Sequence, residues 1–275
     1  MTEQHDQLTR FLFADAGVRG VWVQLQQSYR AACQWQTQSE AADQQLGMGL
    51  AAVSLLSATI KIQGSVFVQV KAQGWIESLL LQATHQRKVR GMIRTRALPP
   101  TLDLAEGQLI LTLEPEQGQS YQGVVALAQQ PLSAALERYF RDSEQLPTRI
   151  WLAADNTRAA GLLLQQIPDA DRDDDDWPRL TMLANTLSDE ELLTLACDKL
   201  LYRLFNQETW QLYPAESVNH FCTCSEQKTL ALLRAMSPAE LTDICTEQGS
   251  VEINCQFCGR SYHYQAEQLG AAGIL

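Results

Sequence analysis

Cys222-Thr223-Cys224, followed after 30 intervening residues by Cys255-Gln256-Phe257-Cys258-Gly259, decides how this chain is organised. The segment from residue 213 onward is too short to build a robust core without a staple. Four thiolates around one tetrahedral metal ion supply such a staple. A CxxC turn lets two sulfurs reach one metal. A CxC puts both side chains on one face of an extended segment, which suits chelation. Between the pairs, Ser237-Pro238-Ala239-Glu240 opens a helix with an N-cap, proline at the first position and glutamate at the third. Gly249 ends that helix, and Val251 and Ile253 alternate like a strand running into Cys255. Gly259 stands where the metal-binding turn benefits from positive φ. The expected ion is zinc, held by Cys222, Cys224, Cys255 and Cys258. An iron–sulfur cluster also uses four cysteines and is the competing assignment. His220 and His263 are near enough in sequence to replace one sulfur.

A closed four-sulfur site keeps no open position for water or substrate, so metal-assisted hydrolysis is not expected and the chain is not read as an enzyme. The same sulfurs can do redox chemistry, because zinc holds them as thiolates, the form that oxidants attack. Four cysteines allow three connectivities. Pairing within each motif, Cys222–Cys224 and Cys255–Cys258, would close very small loops and add little entropic stabilisation. Structural zinc, by contrast, contributes folding free energy on the order of 10 kcal/mol in small zinc domains. Exchange of zinc for two local disulfides is therefore expected to unfold this segment.

Upstream, the chain reads as an α+β domain over residues 1–168 with largely antiparallel pairing. Val21, Val23 and Leu25 alternate as in a half-buried strand. Further strands are expected at 65–70, 89–94, 109–113, 121–127, 148–153 and 161–167, the last two flanking a turn at Asp155-Asn156. Helices are expected over 46–62 and 132–140. The acidic run Asp169-Ala170-Asp171-Arg172-Asp173-Asp174-Asp175-Asp176 reads as a solvated boundary. It begins a linker over 169–212, followed by a metal-binding domain over 213–275. Within the linker, Ser188 and Glu191 form a capping box ahead of Leu192, Leu193, Leu195, Ala196, Leu200, Leu201, Leu204 and Phe205 at helical spacing. So broad an apolar face either packs permanently on the first domain, the preferred reading, or is exposed at times and binds other proteins.

Composition narrows the partners. Of 275 residues 45% are apolar, so the chain is globular. Its net charge of -11, from 32 acidic and 21 basic residues, disfavours nucleic acid and anionic membrane surfaces. The N-terminus Met1-Thr2-Glu3-Gln4-His5-Asp6 lacks an apolar leader segment. The apolar stretch 46–62 carries Gly47, Gly49, Ser54, Ser57, Thr59 and Lys61 and falls short of the roughly 20 apolar residues of a membrane span. A cytoplasmic protein is expected, in which its seven cysteines stay reduced. Cys33, Cys197 and Cys245 then read as small buried apolar side chains.

The CxC–CxxC arrangement resembles the redox-regulated heat-shock protein 33 family of bacterial chaperones. Asp6-Gln7-Leu8, Val18-Arg19-Gly20, Tyr121-Gln122-Gly123-Val124-Val125, Ser143-Glu144-Gln145-Leu146-Pro147-Thr148-Arg149 and Glu191-Leu192-Leu193-Thr194-Leu195 extend the likeness over most of the chain. The resemblance implies an N-terminal α+β core, a metastable helical linker and a C-terminal zinc domain that covers the linker when reduced. It implies that Cys222, Cys224, Cys255 and Cys258 are zinc ligands and redox thiols. It implies further that oxidation to two disulfides releases zinc, the linker unfolds, homodimers form, and unfolding or oxidatively damaged client proteins are held without ATP. The chain departs from the family at Ser225-Glu226-Gln227-Lys228, where Ser-Arg-Glu-Arg is common, which bears on local charge contacts and not on the ligands. No nucleotide-binding glycine loop is present, in keeping with an ATP-independent activity.

Two other readings compete. A zinc ribbon binding nucleic acid or protein would need a basic face, and the segment from Cys222 onward has only Lys228, Arg234 and Arg260. A thiol oxidoreductase would need its CxxC between a strand and a helix of a βαβ unit, a pattern missing here.

Overall fold

The computed structural model describes residues 6–36, 39–60, 62–97, 101–168 and 173–274. The chain divides into two compact units, Met1–Phe221 and Cys222–Leu275, each with its own apolar core. Of the segment expected as a linker, 169–212, the described residues 173–212 fall in the first unit, together with residues 213–221.

In chain order the first unit contains β1 (Gln7–Phe13), β2 (Val18–Leu25), α1 (Gln27–Cys33), α2 (Glu40–Thr59), β3 (Gly64–Ala72), β4 (Ile76–Thr84), β5 (Lys88–Thr95), β6 (Gly107–Pro115) and β7 (Tyr121–Leu127). Then come α3 (Leu132–Tyr139), β8 (Thr148–Ala154), β9 (Ala159–Gln166), α4 (Asp176–Ala184), α5 (Asp189–Thr194), α6 (Cys197–Phe205), β10 (Gln211–Leu212), β11 (Glu216–Ser217) and β12 (Asn219–His220). These strands make two six-stranded sheets. One has the order β10-β1-β2-β9-β8, with β11 also on β1, and the other β12-β5-β4-β3-β6-β7. All pairings are antiparallel except β12 on β5. The α+β class read from the sequence is the class observed.

Helix α2 packs against strands of both sheets and is buried along most of its length. Small residues make this close approach possible: a Cβ on Gly49 would lie 2.8 Å from the Leu81 methyls. The helix begins at Glu40, earlier than the apolar run at 46 suggests, because the Ser39 side chain caps it by accepting from the Ala42 amide. Its first turns are polar and carry no apolar signal. Lys61 lies outside the described residues.

The β1–β2–β9–β8 sheet is covered on both faces. One face contributes Leu8, Val21, Val23 and Leu163 to the core shared with α2. The other contributes Phe11, Phe13, Trp22, Leu162 and Leu164 to a second core built with α4, α5 and α6. Hence β9 is buried at nearly every position, whereas β3 alternates between buried and half-buried residues.

The apolar run 192–205 is two helices rather than one. Leu195 and Ala196 are extended and separate α5 from α6. The Leu193 carbonyl, released from helical bonding by the break, accepts instead from Gln24 Nε2 at 2.5 Å and Arg158 Nη1 at 3.5 Å. The Ser188–Glu191 capping box is present as expected. Asp169, Ala170, Asp171 and Arg172 lie outside the described residues. The end of the acidic run opens α4, where Asp176 accepts from the Asp173 amide at 3.0 Å. Among the described residues, no helix is long and apolar enough to cross a membrane.

Candidate metal centre

The second unit consists of α7 (Glu226–Leu233), α8 (Pro238–Gln248), β13 (Val251–Asn254), β14 (Ser261–Tyr264) and α9 (Ala266–Ala271). Its core is small: Leu233, Leu241, Val251, Tyr264, Leu269 and Ile274 are its buried apolar side chains. Ser237 and Glu240 form the expected capping box, and Gly249 ends α8 in the left-handed conformation.

Each cysteine pair is fixed by local backbone structure. Cys222 and Cys224 lie on the irregular stretch that leads into α7, whose N-cap Ser225 accepts from the Lys228 amide at 3.3 Å. Cys255 and Cys258 lie in the turn of the β13–β14 hairpin. There the Cys255 amide donates to the Arg260 carbonyl at 2.9 Å, and the Gly259 amide to the Cys255 carbonyl at 2.8 Å. The turn closes because Gly259 takes φ of 67°.

This folding brings the four sulfurs together, all within 4.8 Å of one another. Cys222 Sγ is 3.5 Å from Cys255 Sγ, and Cys224 Sγ is 3.5 Å from Cys258 Sγ. Zinc–sulfur bonds of about 2.3 Å in a tetrahedron place sulfurs about 3.8 Å apart, so the donor set and its spacing fit that ion. Both of these approaches run between the motifs. Among the described residues no other cluster of three or more metal-ligating side chains occurs. His220, on β12, and His263, exposed on β14, are not in it.

Ionisation of the four thiols is uneven. Burial opposes the Cys224 thiolate, but hydrogen bonds from the Tyr262 hydroxyl, at 3.2 Å, and from the neighbouring thiols bring its pKa down to about 7. Burial pushes Cys222 up, and pushes Cys258 up to about 12. Tyr262 was not singled out in the sequence. Its only sequence signal is its place in the short strand after Gly259, and its role depends on where the hairpin aims the hydroxyl.

The remaining cysteines are elsewhere. Cys33 packs half-buried against the main core, Cys197 is buried in the second core at the start of α6, and Cys245 packs half-buried on the core of the second unit. Burial pushes the Cys33 and Cys197 thiols up to about 12, which leaves them protonated and unreactive at neutral pH.

Comparison with known proteins places these features in a wider set. The family described as Hsp33 protein matches residues 6–265. A 33 kDa chaperonin of Nitrosococcus oceani is 42% identical over 263 residues, covering 94% of this chain and 91% of that protein. A 33 kDa chaperonin of Vibrio cholerae is 37% identical over 274 residues, covering 96% of this chain and 94% of that protein. The crystal structure of a 33 kDa chaperonin (heat shock protein 33 homolog) from Thermotoga maritima superposes with a TM-score of 0.87 and 20% identity over 97% of both chains, a likeness of fold.

Proposed function

Because this chain belongs to the Hsp33 protein family, we propose that it is a redox-regulated, ATP-independent chaperone of the cytoplasm that holds unfolding or oxidatively damaged proteins and prevents their aggregation. The observation that carries the regulatory half of this reading is the four-sulfur cluster on a unit with so small a core. Cys222, Cys224, Cys255 and Cys258 would hold zinc, which when bound cross-links the two motifs and keeps their sulfurs as thiolates.

Activation is oxidation of these thiolates. In each pair, two thiolates lose two electrons to one molecule of peroxide, which takes up two protons and leaves as two waters. The disulfides proposed are Cys222–Cys224 and Cys255–Cys258. Disulfide sulfurs would no longer serve as thiolate ligands, so a bound metal would be released and the second unit would lose its staple. The helical segment α4–α6 then loosens, homodimers form, and client proteins bind. The second unit's few basic residues, Lys228, Arg234 and Arg260, give no support to a nucleic-acid-binding ribbon.

The test is client aggregation at raised temperature. The peroxide-treated chain should suppress it near stoichiometric ratio, and the reduced, zinc-loaded chain should not. Equal protection by both forms, with zinc retained in both, overturns the switch.

A further inference from the structure

Residues 211–221 form a strap along one edge of each large sheet. β10 and β11 pair with β1, at Phe11↔Leu212 and Leu8↔Glu216, and β12 pairs with β5, at His220↔Val89. The amides of Tyr213, Val218, Asn219 and Phe221 donate to the carbonyls of Arg10, Asp6, Arg87 and Val89. Without the strap, β1 and β5 would be edge strands with open backbone donors and acceptors, the usual template for adding another chain. At its centre Glu216 receives Arg10 at 3.0 Å and Arg87 at 2.9 Å. Arg87 is only 9% exposed and is aimed by its bond to the Ser57 carbonyl at 2.7 Å. Two residues on, Val218 is buried in the main core. Each strand of the strap is just two residues long, and the strap runs directly into Cys222. A segment paired through such short strands is the kind that opens locally before the longer strands beneath it.

We propose that the β1 and β5 edges are a polypeptide-binding surface for which the strap is a built-in competitor. The ligand is an extended client segment that adds as a strand in its place. Backbone hydrogen bonds make the surface tolerant of sequence. Arg10 and Arg87 favour an acidic residue, and the pocket of Val218 favours a β-branched aliphatic residue two positions later. This inference rests on the chaperone reading above and says where a client binds.

The probe is a fluorescent synthetic peptide of residues 210–220, titrated into the full chain and followed by anisotropy. It should bind the peroxide-treated chain saturably and the reduced, zinc-loaded chain roughly tenfold or more weaker. The same peptide with Glu216→Lys should bind the treated chain roughly tenfold or more weaker, because it sets a cation against two arginines. The unmodified peptide should also compete with a heat-unfolded client for the treated chain. Equal binding by both forms, indifference to Glu216→Lys, or no binding by a treated chain that still suppresses aggregation each overturns the edge site. Failure of the chaperone reading would show separately, as unsuppressed aggregation by a treated chain that still binds the peptide.

Discussion

Single side chains set the chemistry of the second unit. Each cysteine contributes one sulfur to the cluster, and structural zinc in small domains is worth on the order of 10 kcal/mol of folding. Cys255→Ser should therefore lose the metal and open residues 222–275 to protease; wild-type metal content and wild-type resistance would refute the ligand set. Mass mapping of the peroxide-treated chain should find Cys222–Cys224 and Cys255–Cys258. Bonds between the motifs, across the 3.5 Å gaps, would instead close long loops worth roughly 3–5 kcal/mol and lock the unit shut. In the first unit, Asp155 caps the β8–β9 turn by accepting from the Thr157 amide at 2.6 Å and the Arg158 amide at 2.7 Å. Burial opposes ionisation there, but these bonds outweigh it and hold the carboxyl below its usual range. A lowered folded pKa stabilises above the unfolded value of about 3.9 and ceases to do so as pH falls through the folded value. Asp155→Ala should thus cost about 1 kcal/mol at neutral pH, and denaturant curves should show the gap to wild type closing on acidification below about pH 4.

At the scale of elements, α5 and α6 matter because they are short and broken yet bury most of one sheet face. Leu200, Leu201 and Phe205 are each fully buried against that sheet. Leu201→Ala leaves a cavity and should cost about 2–5 kcal/mol, which thermal unfolding of the reduced chain would measure. The same variant should protect clients after a lower peroxide dose than wild type; an unchanged dose response would mean that α6 does not take part in the switch. The capping box was legible because Ser188 and Glu191 have the required spacing. The break at Leu195–Ala196 was not, because the apolar period runs through it and its compensation comes from Gln24 and Arg158, which are remote in sequence.

Across the whole molecule, the two units have separate cores, and all six tryptophans lie in the first. Trp177 and Trp210 pack on the core of α4–α6. Tryptophan emission therefore reports on the first unit while metal release reports on the second. Peroxide treatment should release metal and red-shift the emission over the same dose range. Metal release without a spectral change would show that loss of the staple does not reach the first unit. Strands β1 and β4 were missed in the sequence, β4 because Leu79-Leu80-Leu81 breaks the alternation expected of a strand with one buried face.

By itself the sequence determined the features whose physics is local: the capping boxes at Ser188 and Ser237, the helix stop at Gly249, the turn at Gly259, and two cysteine pairs spaced for one metal. It also carried the α+β class, because strands such as β3 bury one face and so alternate. Only the tertiary structure decided that Tyr262 lowers the pKa of Cys224, that Leu195 and Ala196 break the helical run, and that the segment 211–221 pairs with both large sheets. Those outcomes depend on partners distant in the chain, such as Gln24 for Leu193 and Arg10 and Arg87 for Glu216, and no spacing in the sequence encodes such a pairing.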